Sequence, residues 1–82
     1  MRYEINFVAS AREQLRALPK EVRRLIGAKL DRAQNDLSGD IKKLKGFKNK
    51  YRLRAGNYRV LFELEGTCLI VYDLGDRKDI YE

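Results

Sequence analysis

The sequence predicts a small α+β domain with an N-terminal strand, a two-helix hairpin and then a three- to four-stranded antiparallel meander. Three observations predict it. The chain has 82 residues, 44% of them apolar, enough to bury one compact core. Apolar residues recur at helical spacing from Ala11 to Leu37. Beyond Lys50 they alternate with polar ones and are interrupted by Gly-X pairs of the kind that closes tight hairpins. Residues 1–82 therefore read as one domain.

Residues 2–8 read as a strand, because Tyr3, Ile5 and Phe7 alternate with Arg2, Glu4 and Asn6. Ser10 and Glu13 have the spacing of a capping box, and Ala11, Leu15 and Leu18 mark one apolar face of a first helix. Pro19 ends that helix and suits the first turn of the next. The second helix is expected to run to about Leu37. Its stripe is Val22, Ile26, Leu30, Ala33 and Leu37, spaced by four, four, three and four. Ser38-Gly39-Asp40 stops it, and a basic loop of roughly 40–49 shows no strong periodicity.

The meander follows. Tyr51–Arg54 and Tyr58–Leu64 flank Gly56-Asn57, a turn near Glu65-Gly66-Thr67 leads to Cys68–Leu74, and Gly75-Asp76 reads as a further turn. Ile80-Tyr81 is long enough for a short terminal edge strand. The helices should cover one sheet face and leave the other open.

Composition excludes several chemistries. The chain has no histidine, so Ser-His, Cys-His and His-metal sites are impossible. Cys68 is the single cysteine, which excludes an internal disulfide or a thiolate metal cluster, and its apolar surroundings favour a packing role. Neither a metal nor a cofactor is expected. No apolar run reaches the roughly 18–20 residues of a membrane span, and the N-terminus lacks a signal-like stretch, so a cytoplasmic protein without membrane contacts is expected.

Charge supplies the positive clue. Eighteen Lys and Arg against twelve Asp and Glu give +6, which suits an anionic partner. From Ile41 to Phe62 there is no acidic residue, yet eight basic ones: Lys42, Lys43, Lys45, Lys48, Lys50, Arg52, Arg54 and Arg59. Such a block is either a phosphate-binding surface or a solvated basic face.

The hairpin arranges part of this block. With Gly56-Asn57 as the loop, Leu53 faces Val60 and Tyr51 faces Phe62 on the helix side, while Arg54 faces Arg59 and Arg52 faces Leu61 on the other. Like charges directly opposite cost stability, so folding gives no reason for the pair. An anion between them supplies one, since each guanidinium can offer two hydrogen bonds to phosphate. The alternative is that both splay into water or pair with Glu63 and Glu65. Ile70 and Tyr72 share the open face if the next turn has two residues, with Arg77 just beyond and Tyr81 within reach of the same rim. An aromatic ring beside arginines suits an RNA base, although plain packing explains Tyr72 and Tyr81 equally well.

Three segments carry a family resemblance: Lys43-Leu44-Lys45-Gly46, then Tyr51 to Val60, then Asp76-Arg77-Lys78-Asp79-Ile80-Tyr81. In this order and spacing the chain resembles the RelE branch of the RelE/ParE toxins. The resemblance implies a type II toxin that cuts mRNA in the ribosomal decoding site and is silenced by a cognate antitoxin. It implies catalytic roles for Arg54, Arg59, Arg77 and Tyr81. Arg59 and Arg77 match the family's functional arginines, and Tyr81 matches its substrate-stacking tyrosine. RNA binding would fall to Lys43, Lys45, Lys48, Lys50, Arg52 and Tyr72. Arg54 stands where some relatives carry a lysine assigned to proton transfer, and an unperturbed arginine stays protonated. Either another group takes the proton or Arg54 serves electrostatically; proton transfer falls to a lysine, a tyrosine or a perturbed arginine, and the candidate base is a lysine of the basic loop or Tyr81.

Partners implied are a small, partly acidic, amphipathic antitoxin, the ribosome with its mRNA, and operator DNA through the antitoxin complex. Two other readings remain open: a ParE-like poison of DNA gyrase, and a non-catalytic basic module that binds nucleic acid.

Overall fold

The computed structural model describes residues 2–37, 40–76 and 78. The elements run β1 (Glu4–Phe7), α1 (Ala9–Arg16), α2 (Lys20–Ala33), β2 (Ile41–Lys43), β3 (Lys50–Ala55), β4 (Tyr58–Glu65) and β5 (Cys68–Asp76). They form one five-stranded sheet in the order β1-β5-β4-β3-β2. β2 to β5 are antiparallel neighbours, and β1 lies parallel to β5 at the far edge. The α+β class, the leading strand, the helix pair and the antiparallel meander are as the sequence predicts. Among the described residues no helix is long and apolar enough to cross a membrane.

Both helices present the expected stripes to one sheet face. Ala11, Ile26, Leu30 and Ala33 are buried against Leu53, Val60, Phe62, Leu69, Val71 and Leu74, with Leu15, Leu18, Val22 and Leu37 packed around them. Phe62 is fully buried at the centre, and the Tyr51 ring stacks on it at 5.5 Å between centroids. Removing this apolar area from water is the main force holding helices to sheet.

Local details depart from the sequence reading. No capping box forms: α1 starts at Ala9 behind Val8, without a side-chain cap, and Glu13 pairs with Arg16 instead. Strand β1 runs almost directly into the helix, because the Val8 N–H is bound to the Val71 carbonyl and the Val8 carbonyl accepts from Arg12. Pro19 sits at the N-cap position of α2, and its carbonyl accepts from the Arg23 N–H. α2 ends at Ala33, four residues before Leu37, where Gln34 turns to the sheet and exchanges hydrogen bonds with Tyr3.

The expected basic loop contains a strand. Ile41–Lys43 pairs with β3, placing Ile41 opposite Leu53 at the core and Lys42 opposite Arg52 on the other face. Three residues are too few for a visible alternation. The fourth antiparallel strand thus precedes the hairpin. The possible terminal strand at Ile80-Tyr81 lies outside the described residues.

The last pairing is also irregular. Gly75 and Asp76 do not form a turn but continue β5, opposite Arg59 and Tyr58. The β4–β5 register shifts between Leu61 and Phe62, which face Asp73 and Val71 and leave Tyr72 as the extra residue of a bulge. The bulge has a packing reason. With uninterrupted alternation after Leu69 and Val71, Leu74 would point away from the helices. The inserted residue returns it to the core, where it is 2% exposed. Past the end of β1, Gln14 of α1 secures this stretch. Its amide oxygen accepts from the Leu74 N–H at 3.2 Å, and its nitrogen donates to Asp73 Oδ1 at 2.8 Å.

Candidate nucleic-acid interface

The sheet face opposite the helices carries the basic cluster. Its foundation is the β3–β4 hairpin, closed by Gly56-Asn57. Gly56 has φ +61°, and among the described residues positive φ occurs at glycine alone, which makes this a two-residue loop with glycine first. Such a loop matches the twist of the flanking strands and sets the register. The observed pairs are Ala55 with Tyr58, Arg54 with Arg59, Leu53 with Val60, Arg52 with Leu61 and Tyr51 with Phe62. Arg54 and Arg59 are therefore direct cross-strand neighbours, and Arg52 lies one pair further along the same face.

Lys42, opposite Arg52, extends this row into β2. Sequence reasoning did not single it out, because its facing depends on a strand too short to recognise. Lys43 pairs with Tyr51 and so starts from the helix side of the edge strand. Lys42, Lys43, Leu44, Lys45 and Arg52 together line a basin of about 290 Å³ without a carboxylate in its wall. Lys48 is exposed in the adjoining loop.

Opposite Arg59 on β5 stands Gly75, which carries no side chain of its own. Leu61, between Arg52 and Asp73, is 4% exposed although it belongs to the face away from the core cluster. Leu61 thus gives the row of arginines a buried apolar neighbour on their own face.

Acidic groups occupy the margins of the cluster. Glu63 is opposite Lys50 and Glu65 opposite Cys68. Asp40 forms an ion pair with Lys29 on α2, and its carbonyl accepts from the Arg54 N–H at 3.0 Å. The Lys29 hydrogen bond and charge hold the Asp40 carboxyl below its usual pKa of 3.8, with smaller pulls from Arg54 and Arg32.

Tyr72 is on the site face, as expected, though at the bulge. Its ring lies 5.1 Å from Lys50 Nζ. Burial pushes its phenol above the ordinary value of 10.0, and the carboxylates of Glu63 and Asp73 add to this. The phenol is therefore a poor base at neutral pH. Cys68 is half-buried at the start of β5, in keeping with a packing role. Arg77 and Tyr81 lie outside the described residues. Of the remaining sequence candidates, Arg52, Arg54, Arg59, Lys50 and Tyr72 come together on one face, and Lys43, Lys45 and Lys48 fringe it.

Comparison with known proteins decides the family. The description "ParE toxin of type II toxin-antitoxin system, parDE" matches residues 5–81. The chain belongs to this family of type II toxins. Within it, the toxin is similar to toxin RelE3 of Methanocaldococcus jannaschii, with 36% identity over 96% of each chain. Its fold matches the toxin in the RelB-RelE antitoxin–toxin complex of Methanococcus jannaschii with a TM-score of 0.79 and 35% identity, covering 93% of this chain and 94% of that one. A mutant of E. coli toxin RelE in the free state matches with a TM-score of 0.79 and 26% identity, covering 93% and 84%. The toxin fold is shared along nearly the whole length, so the resemblance carried by three short segments extends to sheet, helices and connections.

Proposed function

We propose that this toxin is a ribosome-dependent mRNA endoribonuclease that needs no metal ion. The observation that carries the reading is the placement of Arg54 directly opposite Arg59, with Arg52 and Lys42 in the next pair along the same face. Such a row costs folding stability and is suited to a ribose-phosphate backbone.

RNA supplies its own nucleophile. The 2′-oxygen attacks the adjacent phosphorus in line, forming a 2′,3′-cyclic phosphate, and the bond to the 5′-oxygen breaks. The 2′-proton must leave and the departing oxygen must gain one. Arg59 would hold the scissile phosphate, Arg54 would balance charge on the phosphorane-like state, and Arg77 would stabilise or protonate the leaving oxygen. Arg54 serves electrostatically, through the hydrogen-bond donors of its guanidinium. A lysine from the basic 40–49 segment, or Tyr81, would accept the 2′-proton. With no histidine in the chain, acid–base assistance is weak. A ribosome that presents the strand already bent for in-line attack compensates for it.

The basic face also accounts for control. The structural relatives include RelB–RelE complexes. A cognate antitoxin with an acidic, amphipathic segment would cover the arginines and exclude RNA. Operator DNA would be reached through that complex, and the site of action is the cytoplasm.

The test is induced expression with primer extension on ribosome-bound mRNA. Arg59→Ala and Arg77→Ala should each abolish cleavage and growth arrest while leaving folding and antitoxin binding intact, and a chelator should not change the wild-type rate. Full toxicity in both variants contradicts the assignment. The ParE name of the matching family supports a second reading, a gyrase poison. It predicts that the DNA-damage response rises before translation stops, the reverse of the order expected here.

A further inference from the structure

Among the described residues three large apolar side chains are exposed, Val8, Leu25 and Phe47, and Phe47 is the most exposed and the one aromatic ring of the three. It is 47% exposed in a chain whose core residues are nearly all covered. It belongs to the short loop between β2 and β3, which is closed at both ends. The Leu44 N–H donates to the Lys50 carbonyl at 2.9 Å, the Leu64 N–H donates to the Asn49 carbonyl at 2.9 Å, and the Asn49 amide donates back to the Leu64 carbonyl at 3.3 Å. Gly46, at φ +82°, makes the bend just before Phe47.

Lys50 connects this ring to the site. Its ammonium lies 4.7 Å from the Phe47 centroid and 5.1 Å from that of Tyr72, so one cation bridges two aromatic rings. That contact orients Phe47 while leaving part of its surface to solvent. The same loop and its two flanking strands supply Lys42, Lys43, Leu44, Lys45 and Arg52 to the basic basin.

We propose that Phe47 is a stacking platform for one unpaired base of the RNA strand, flanking the scissile phosphate on the β2 side. The inference rests on the RNA-binding reading of the basic face. An exposed aromatic ring fixed beside phosphate-binding lysines is what single-stranded recognition requires: the cations take the backbone and the ring takes a base face. Because hydrogen bonds and Lys50 already hold the loop, little conformational freedom is lost on binding. An acidic peptide could meet the same lysines, but it would have no need of a planar ring.

The experiment compares two fluorescently labelled probes at low ionic strength, a short single-stranded RNA and an abasic ribose-phosphate strand of the same length, with the full chain by anisotropy. Wild type should bind the intact strand about tenfold more tightly than the abasic one, the order expected for one stacked base. Phe47→Leu should erase that difference and leave abasic binding unchanged, and Phe47→Trp should preserve it. Equal affinity of wild type for the two strands overturns the platform while phosphate binding stands. An undiminished preference in Phe47→Leu also overturns it and directs attention to a protein partner for the ring. If neither strand binds, the RNA-binding reading itself falls, and the platform with it.

Discussion

Replacing Arg54 by glutamine should separate stability from activity. Arg54 and Arg59 are directly opposed, which puts their Cβ atoms about 5 Å apart. Two guanidinium groups about 7 Å apart repel by roughly 0.6 kcal/mol at the dielectric constant of water. Screening over a Debye length of about 8 Å at physiological salt leaves roughly 0.25 kcal/mol. Against this stands the attraction of Arg54 to Asp40, whose dominant partner is Lys29. Arg54→Gln should therefore be as stable as wild type or a few tenths of a kcal/mol more so. With a urea slope of about 1 kcal/mol/M for a chain of this size, the midpoint should rise by a few tenths molar. The gain should be larger at low salt and vanish near 1 M. Cleavage should fall by about 100-fold or more, the usual loss when a group stabilising transition-state charge is removed. Urea titrations at two salt concentrations and primer extension on programmed ribosomes measure both. A salt-independent loss of more than about 1 kcal/mol would make Arg54 a structural residue, and retained cleavage would remove it from the chemistry.

Other expectations follow from the same geometry. Leu74→Ala should cost about 2–4 kcal/mol by thermal or urea unfolding, because the bulge places Leu74 in the core; a cost under about 0.5 kcal/mol would mean that it faces solvent. The Tyr72 phenol should titrate above 10.0 when followed by ultraviolet absorbance, and Glu63→Gln should move it back toward that value. Because the folded state favours the neutral phenol, this stability is present below pH 10 and is lost as pH rises from there through the folded pKa. The Asp40 carboxyl, followed by NMR, should titrate below 3.8 and return toward it in Lys29→Met. Its stabilising effect is present above that pH and disappears as pH falls through the folded pKa.

On the proposed function, the charged row gives up local stability for RNA binding. A hairpin optimised for folding would place opposite charges, or threonines, across from each other at Arg54 and Arg59. The sheet keeps the repulsive pair, with Leu61 buried on the same face. On the proposed reading the antitoxin and the substrate would meet the same surface, and covering it would suffice for inhibition.

Much of this was legible in the residues alone. Strand alternation, the α2 stripe and the Gly56-Asn57 loop are local, short-period signals. They determined the α+β class, the helix face and the β3–β4 register, and through that register the meeting of Arg52, Arg54 and Arg59. Other features depended on contacts between distant segments. Ile41–Lys43 is too short to show a period, and becomes a strand because β3 offers an edge and Leu53 a neighbour. Tyr72 is displaced into a bulge because Leu74 must reach the core that Leu69 and Val71 already line. Lys50 bridges Phe47 and Tyr72 because β3 and β5 flank β4. Pairing registers, bulges and side-chain bridges are settled by the lowest free energy of the packed whole, and a one-dimensional pattern records them only where one segment contains both partners.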